Sequence, residues 1–234
     1  DAYKDHYHFI RSVKPYGGRL EIYNVNPIMD AVLKDERVLG VAPKISTQVF
    51  YTVGAVDVAG VINGVDVEAE NNLFFFSTYV TTGNYIDLKN IPNSIILGKA
   101  AADQMLAKIG DVIQVTTVTG ERQQLKVVGY FQSGLNDLDK VQSYTSLNTA
   151  QKLLGESRNY ITDLQVKLKD INLAPAMAKE YNALFGIDAE DIQTANAQFE
   201  TGSSVRSTIS YAVGITLLIV AGFGIYNILN MMIY

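Results

Sequence analysis

Apolar positions recur with two different periods along the first two hundred residues, and the last stretch has almost no polar positions to alternate with. Arg19–Tyr23 alternates like a strand. Asn26-Pro27 then predicts a helix start, with Asn as N-cap, Pro at the first helical position, and Ile28, Met29, Val32 and Leu33 on one face. Ile45, Thr47, Val49, Tyr51 and Val53 alternate with mostly polar neighbours, and Gly54 turns the chain into a second strand, Val56–Ile62, ending at Asn63-Gly64. The first third therefore reads β-α-β-β.

The middle is less regular. Residues 71–92 carry Leu73-Phe74-Phe75-Phe76, Tyr79 and Tyr85 with no period. After the strand Ile95–Gly98, a helix is expected with Ala101, Met105, Leu106 and Ile109 inward and Gly110 as its stop. Val112–Thr119 and Leu125–Phe131 form a hairpin around Gly120-Glu121. Asn148–Gln151 resembles a capping box for a short helix closed by Gly155. The last soluble third repeats the opening pattern. Leu164, Val166 and Leu168 alternate, and Pro175 opens a helix with Met177, Ala178, Tyr181, Leu184 and Phe185 on one face, closed by Gly186. Asp191–Thr194 reads as a short strand or turn.

These elements predict an α+β fold in which a split β-α-β subdomain (17–75 with 160–195) carries an inserted strand-rich subdomain (76–159). Residues 1–195 form that domain, 196–210 a polar stalk with Phe199, Val205 and Ile209 at loose helical spacing, and 211–234 a transmembrane helix. The 28 residues from Ser207 to Tyr234 contain no charge. As a helix, Tyr211–Tyr234 reaches about 36 Å at about 1.5 Å per residue, which is enough to cross a bilayer. Gly214, Gly222 and Gly224 weaken an isolated helix in water but let membrane helices approach closely, so they are the expected packing positions. Asn227 and Asn230 are expected to hydrogen-bond between helices, lie at the interface, or cap the helix. The opening Asp1-Ala-Tyr-Lys-Asp-His has neither Met nor a signal-like apolar core, so a segment of a larger protein with an earlier membrane helix is expected.

Charge and composition narrow the chemistry. Nineteen Lys and Arg against 24 Asp and Glu give a net charge of −5, with no basic run longer than two, which argues against nucleic-acid binding. There is no Cys, which removes thiol nucleophiles, Cys-ligated metals and disulfides. His6 and His8 sit two apart beside Asp5, with no third metal ligand nearby. No Gly-x-Ser-x-Gly elbow and no Gly-Lys-Ser/Thr phosphate loop occurs, and Asn136-Asp137-Leu138-Asp139 lacks the Gly and terminal Glu of a calcium loop, leaving a solvated turn. No catalytic, cofactor or metal residue is expected. The remaining work is binding or mechanical coupling. The candidates for partner contact are Phe74, Phe75, Phe76 and Tyr79 in the aromatic stretch, with a core role as their alternative, and Leu135, Asn136 and Asp137 in the following loop.

Particular strings go further than composition. Ser94–Asp111, Leu125–Gly134 and Tyr144–Gly155, with Gly17–Tyr23, Gly64–Asp66 and Ile215–Tyr234, resemble the extracytoplasmic domain of ABC-transporter permeases of the lipoprotein-releasing, FtsX-like and MacB-like superfamily. The resemblance covers nearly the whole chain. It implies a permease in the bacterial inner membrane with residues 1–210 on the periplasmic side, and a transmembrane helix that is the second of four. It also implies a separate cytoplasmic ATPase subunit, a second permease copy or homologue, a periplasmic or outer-membrane partner, and transmission of ATP-driven movement to the periplasm. Lipoprotein release or export of an envelope substrate is the implied activity; an FtsX-like receptor or regulatory domain is the alternative. In lipoprotein releasers one permease projects a long hook between the strands matching Val112–Thr119 and Leu125–Phe131. Here only Gly120–Gln124 joins them, so no hook is expected.

Overall fold

The computed structural model describes residues 21–54 and 56–233. Its helices are α1 (Val25–Leu33), α2 (Val67–Phe74), α3 (Asp87–Asn90), α4 (Lys99–Met105), α5 (Asn136–Val141), α6 (Leu147–Leu154), α7 (Ala174–Phe185) and α8 (Ile192–Ile233). The strands are β1 (Val38–Val53), β2 (Val56–Val65), β3 (Val80–Gly83), β4 (Ser94–Gly98), β5 (Val112–Thr117), β6 (Arg122–Phe131), β7 (Gln142–Ser146) and β8 (Asp163–Leu168). Two compact units meet in sequence between Lys169 and Asp170.

In the first unit all eight strands share one sheet, including β1, β2 and β8 from the outer segments and β3 to β7 from the middle. The long strand β1 pairs with β2 along one edge, and with β5 and then β8 along the other. Since β2, β7, β4, β6 and β5 are paired in that order, their hydrogen bonds return to β1 and close a circuit. Odd-numbered residues of β1 and β5 turn to one face. There Val49, Tyr51, Ile113 and Val115 meet Ile62, Ile95, Leu97, Leu125 and Val127, capped by Ala101, Ala102 and Met105 of α4 and Leu153 of α6. On the other face Ile96 and Val128 pack with Val67, Phe76, Leu88 and Phe131. Helices α2 and α6 lie on opposite faces. A Cβ on Gly64 would sit 2.3 Å from Ala150 of α6, whereas one on Gly40 would sit 2.6 Å from Leu73 of α2. Gly64 pairs with Ile45, and Ile45 and Gly40 point to opposite sides of β1.

Several expectations change. Glu21 and Ile22 join no strand: Ile22 N–H donates once to the Ile161 carbonyl at 2.8 Å, and Asn24 turns the chain in a left-handed conformation. Helix α1 begins at Val25, so Pro27 falls inside the first turn, where its missing N–H costs nothing, and Val25, Ile28 and Val32 are buried while Leu33 is exposed. Strand β2 runs through Asn63-Gly64 to Val65, because Gly64 leaves room for α6 and Asn63 Nδ2 donates to the Ser143 carbonyl at 3.3 Å. Helix α4 stops at Leu106, not Gly110. Leu106 is left-handed at φ 54°, and the Ala107 N–H bonds back to Ala102 at 2.9 Å, which turns Leu106 and Ile109 outward and Ala107 inward. Helix α6 is capped by Ser146, whose hydroxyl accepts from the Thr149 N–H, while Gln151 turns away to the Arg158 and Tyr160 carbonyls. Asp191 starts α8 rather than a strand, with its carboxylate accepting from the Thr194 N–H at 2.9 Å.

In the second unit, Ala174-Pro175 opens α7 and Gly186 closes it at φ 64°, as the sequence predicts, and the Tyr181 ring packs at a tilt against Phe185, 5.7 Å between centroids. Helix α8 is one helix of 42 residues, and its Ile209–Tyr226 window has a mean hydropathy of 2.0 with none of it buried, long and apolar enough to cross a membrane. Gly214, Gly222 and Gly224 lie within it, and no described atom approaches the position of a Cβ at any of the three. His6, His8 and residues 17–20 lie outside the described residues, as do the side chains of 196–208, Asn227 and Asn230.

Candidate functional site

The two candidate stretches, far apart in sequence, meet in the fold. The aromatic stretch 71–79, expected to be irregular, begins as α2, whose N-cap Asp66 accepts from the Glu68 and Ala69 N–H groups. The helix ends at Phe75, which adopts φ 56° and gives its N–H to the Asn71 carbonyl at 2.9 Å. A left-handed conformation is unfavourable for a residue with a Cβ and usually falls to glycine. Here it holds an aromatic ring 62% exposed. A single 3-10 turn, Phe76–Thr78, follows, pinned by Asn71, whose Oδ1 accepts from the Ser77 N–H at 2.9 Å and whose Nδ2 donates to the Tyr85 hydroxyl at 3.2 Å.

The four aromatic candidates divide by burial. Phe76 turns into the core at 4% exposed, Phe74 is half-buried, and Phe75 and Tyr79 face solvent, Tyr79 at 47%. Lys167 of β8 donates to the Leu73 carbonyl at 2.8 Å, and its ammonium sits 5.4 Å from the Phe74 ring and 5.6 Å from that of Phe75, within cation–π range.

The second stretch, expected as a solvated turn, is exposed at Leu135–Asp137 and continues as a short helix. Asn136–Val141 forms α5 because the buried Asp139 carboxylate accepts from both the N–H (2.8 Å) and hydroxyl (2.7 Å) of Ser133. Gly98 gives α5 its seat, since a Cβ there would lie 2.0 Å from the Asp139 carbonyl. Leu135, Asn136 and Asp137 stay exposed, Leu135 at 54%. One backbone bond, from Gln132 N–H to the Tyr79 carbonyl at 2.8 Å, joins this loop to the aromatic turn.

Beneath both lies Tyr144 of β7, which the sequence did not single out. Its ring packs 4.6 Å from Phe76 and 4.9 Å, edge to face, from Phe131. Burial and the negative charges of Glu70 and Asp139 push its hydroxyl up to about 12, so it stays protonated. Glu70 of α2 also went unnoticed. It is 7% exposed, its Oε2 has no hydrogen-bond partner, and burial raises its carboxyl above the ordinary range, against the pull of Lys44. The signal for α2 was Asp66 three residues before Ala69, a cap pattern in an otherwise unpatterned stretch. Phe75, Tyr79 and Leu135–Asp137 are thus exposed, while Phe76, Phe131 and Tyr144 pack together beneath the aromatic turn.

Two clefts lie on either side of the α6 N-terminus. One, of about 470 Å³, lies against Val25, Met29, Gln151 and Arg158, and the other, of about 300 Å³, opens at the carboxyl ends of β2 and β7 against Asp66, Lys89 and Lys152. Among the described residues no group of three or more His, Cys, Asp or Glu is placed to hold a metal ion.

No curated protein matches the chain. The extracellular domain of the noncanonical ABC-type transporter YknZ from Gram-positive bacteria superposes with a TM-score of 0.52 at 15% identity, covering 74% of this chain and 89% of that one. The periplasmic region of MacB from Actinobacillus actinomycetemcomitans superposes with a TM-score of 0.49 at 12% identity, covering 75% and 82%. The MacB-like periplasmic core domain matches residues 9–184, three quarters of the sequence, and so the chain belongs to the MacB-like periplasmic core domain family.

Proposed function

We propose that this chain is the extracytoplasmic domain and second membrane helix of an ABC-transporter permease in the bacterial inner membrane, moved by ATP hydrolysis on a separate cytoplasmic subunit. The observation that carries this reading is one chain holding both a MacB-like core domain and, in α8, an apolar span from Ile209 to Tyr226. In this reading the permease works as a pair with a second copy or homologue, residues 196–210 are the stalk, and Gly214, Gly222 and Gly224 pack against neighbouring membrane helices. Movement passes along the stalk to residues 1–195, as the split subdomain 17–75 with 160–195 and its insertion 76–159, and drives lipoprotein release or export of an envelope substrate. Phe75, Tyr79 and Leu135–Asp137 contact the extracytoplasmic partner, with Phe74 and Phe76 supporting them. The β5–β6 connection, only Val118–Glu121, supports a permease that does not capture a chaperone through a hook at this hairpin.

Residues 1–234 contain no cysteine, so a single cysteine placed among them is read against the same protein without it. A single N136C in the full-length protein is expected to react in intact inner-membrane vesicles only when the periplasmic face is outward, with G222C protected in either orientation. Labelling of N136C from the cytoplasmic face overturns the reading. Photocrosslinkers at Phe75 and Leu135 in living cells test the surface itself. Crosslinks to an extracytoplasmic partner are expected there and not at the Gly120 turn, and the reverse pattern overturns the assignment.

A further inference from the structure

Glu70 is an acid buried at the sheet-facing side of α2, 7% exposed. It stands on α2 one turn after the buried Val67 and one turn before Phe74, and its Oε2 is enclosed without a donor. A carboxylic acid tolerates such a site far better than a carboxylate, which needs donors or a close cation when removed from water. The charged and titratable groups facing it are Lys44 of β1 and Tyr144 of β7, itself close to Asp139 of α5 and Tyr79 after the 3-10 turn; Glu68 lies on the same helix, Asp66 is that helix's N-cap, and Lys89 of α3 is bonded to Glu68 at 2.5 Å. Lys44 supplies the attraction that favours the ionised form. Helix α2 carries the aromatic turn at its end through the Phe75 N–H to Asn71 bond, and Phe76 rests on Tyr144.

We propose that Glu70 is a proton-operated latch for this surface: protonated, it lets α2 and the Phe74–Tyr79 turn stay packed on the sheet, and ionised, it loosens them. Its consequence for a partner rests on the surface reading above; the latch itself does not. The direction follows from linkage. Burial makes the folded state hold this proton more tightly than the unfolded chain, so the packing is fully stabilising at acid pH and weakens as pH rises through the raised value.

The chain has no tryptophan, so Tyr79→Trp gives a single reporter on the turn. In the full chain in detergent micelles, reporter emission is expected to shift to the red and acrylamide quenching to rise along one titration curve, centred above the ordinary glutamate range. Glu70→Gln in the same background removes the transition and raises Tm at pH 8 by about 2–4 °C. Lys44→Met moves the midpoint to higher pH, because the cation that favours the carboxylate is gone. A flat profile between pH 4 and 9, a transition that survives Glu70→Gln, or a midpoint that Lys44→Met leaves in place or lowers overturns the latch. All three readouts are taken without a partner, so their failure is distinct from failure of the crosslinks at Phe75 and Leu135.

Discussion

The amide of Gln132 donates to the carbonyl of Tyr79 at 2.8 Å, and this bond sets the aromatic turn beside the Ser133–Asp137 loop. The loop end is fixed separately by Asp139. Truncating it in Asp139→Ala removes the acceptor of both Ser133 bonds inside a buried site, and a loss of about 1–3 kcal/mol in unfolding free energy is expected. Hydrogen exchange should rise over 132–137 and not over β1 and β2; unchanged exchange at Ser133 would refute the anchoring role.

Tyr51 is fully buried, and its hydroxyl hydrogen-bonds that of Ser143 across the sheet interior. Tyr51→Phe leaves Ser143 its bond to the Val61 carbonyl at 3.2 Å, so chemical denaturation should register only about 0.5–1.5 kcal/mol. Tyr51→Ala opens a cavity the closed circuit of strands has little freedom to fill, and about 3–5 kcal/mol is expected.

Gly98 touches α5 where no side chain fits. Gly98→Ala places a methyl against the Asp139 carbonyl, a backbone atom that no rotamer change can move away. It should lower Tm by more than Gly120→Ala, whose Cβ meets nothing within 4 Å and whose cost comes only from its φ of 91°. Equal shifts for the two variants would disprove the close seat.

Tyr144 gives an alkaline signature. Its hydroxyl is held up to about 12 by burial and by nearby carboxylates, whereas in the unfolded chain it ionises near 10. The folded state therefore binds more protons between those values, and stability is lost as pH rises above about 10. Tyr51, pushed up by burial as well, adds to the same loss. Tyr144→Phe should flatten the fall in Tm between pH 10 and 12 in part; an unaltered slope would count against the buried hydroxyl.

The tail makes a solubility prediction. A chain ending at Thr201 is expected to be soluble and monodisperse in buffer, and the chain that continues through the apolar window Ile209–Tyr226 to need detergent. Equal solubility of both would remove the membrane span.

Local signals in the sequence were enough wherever neighbours in the chain decide the outcome. Period-two alternation located β8 and the second half of β1, the hairpin pattern around Gly120-Glu121 located β5 and β6, glycines with positive φ turned or ended elements at Gly54, Gly120, Gly155 and Gly186, and the charge-free run marked the apolar half of α8. The resemblance carried by Ser94–Asp111 and Leu125–Gly134 led to the family. Tertiary structure decided what depends on distant partners. Strand β7 reads Gln-Ser-Tyr-Thr-Ser and has no apolar alternation, yet it sits between β2 and β4, because Ser143 finds the Tyr51 hydroxyl and Thr145 donates to the Ser94 carbonyl at 2.6 Å. Leu106 ends α4 against its propensity because the following Ala107 gains burial. The aromatic turn comes beside the Ser133–Asp137 loop only because Tyr79 and Gln132 pair across more than fifty residues, and Glu70 is withdrawn from water only because α2 packs on β1. Polar groups can be buried where donors and acceptors meet in space, and no local pattern of residues records where that meeting occurs.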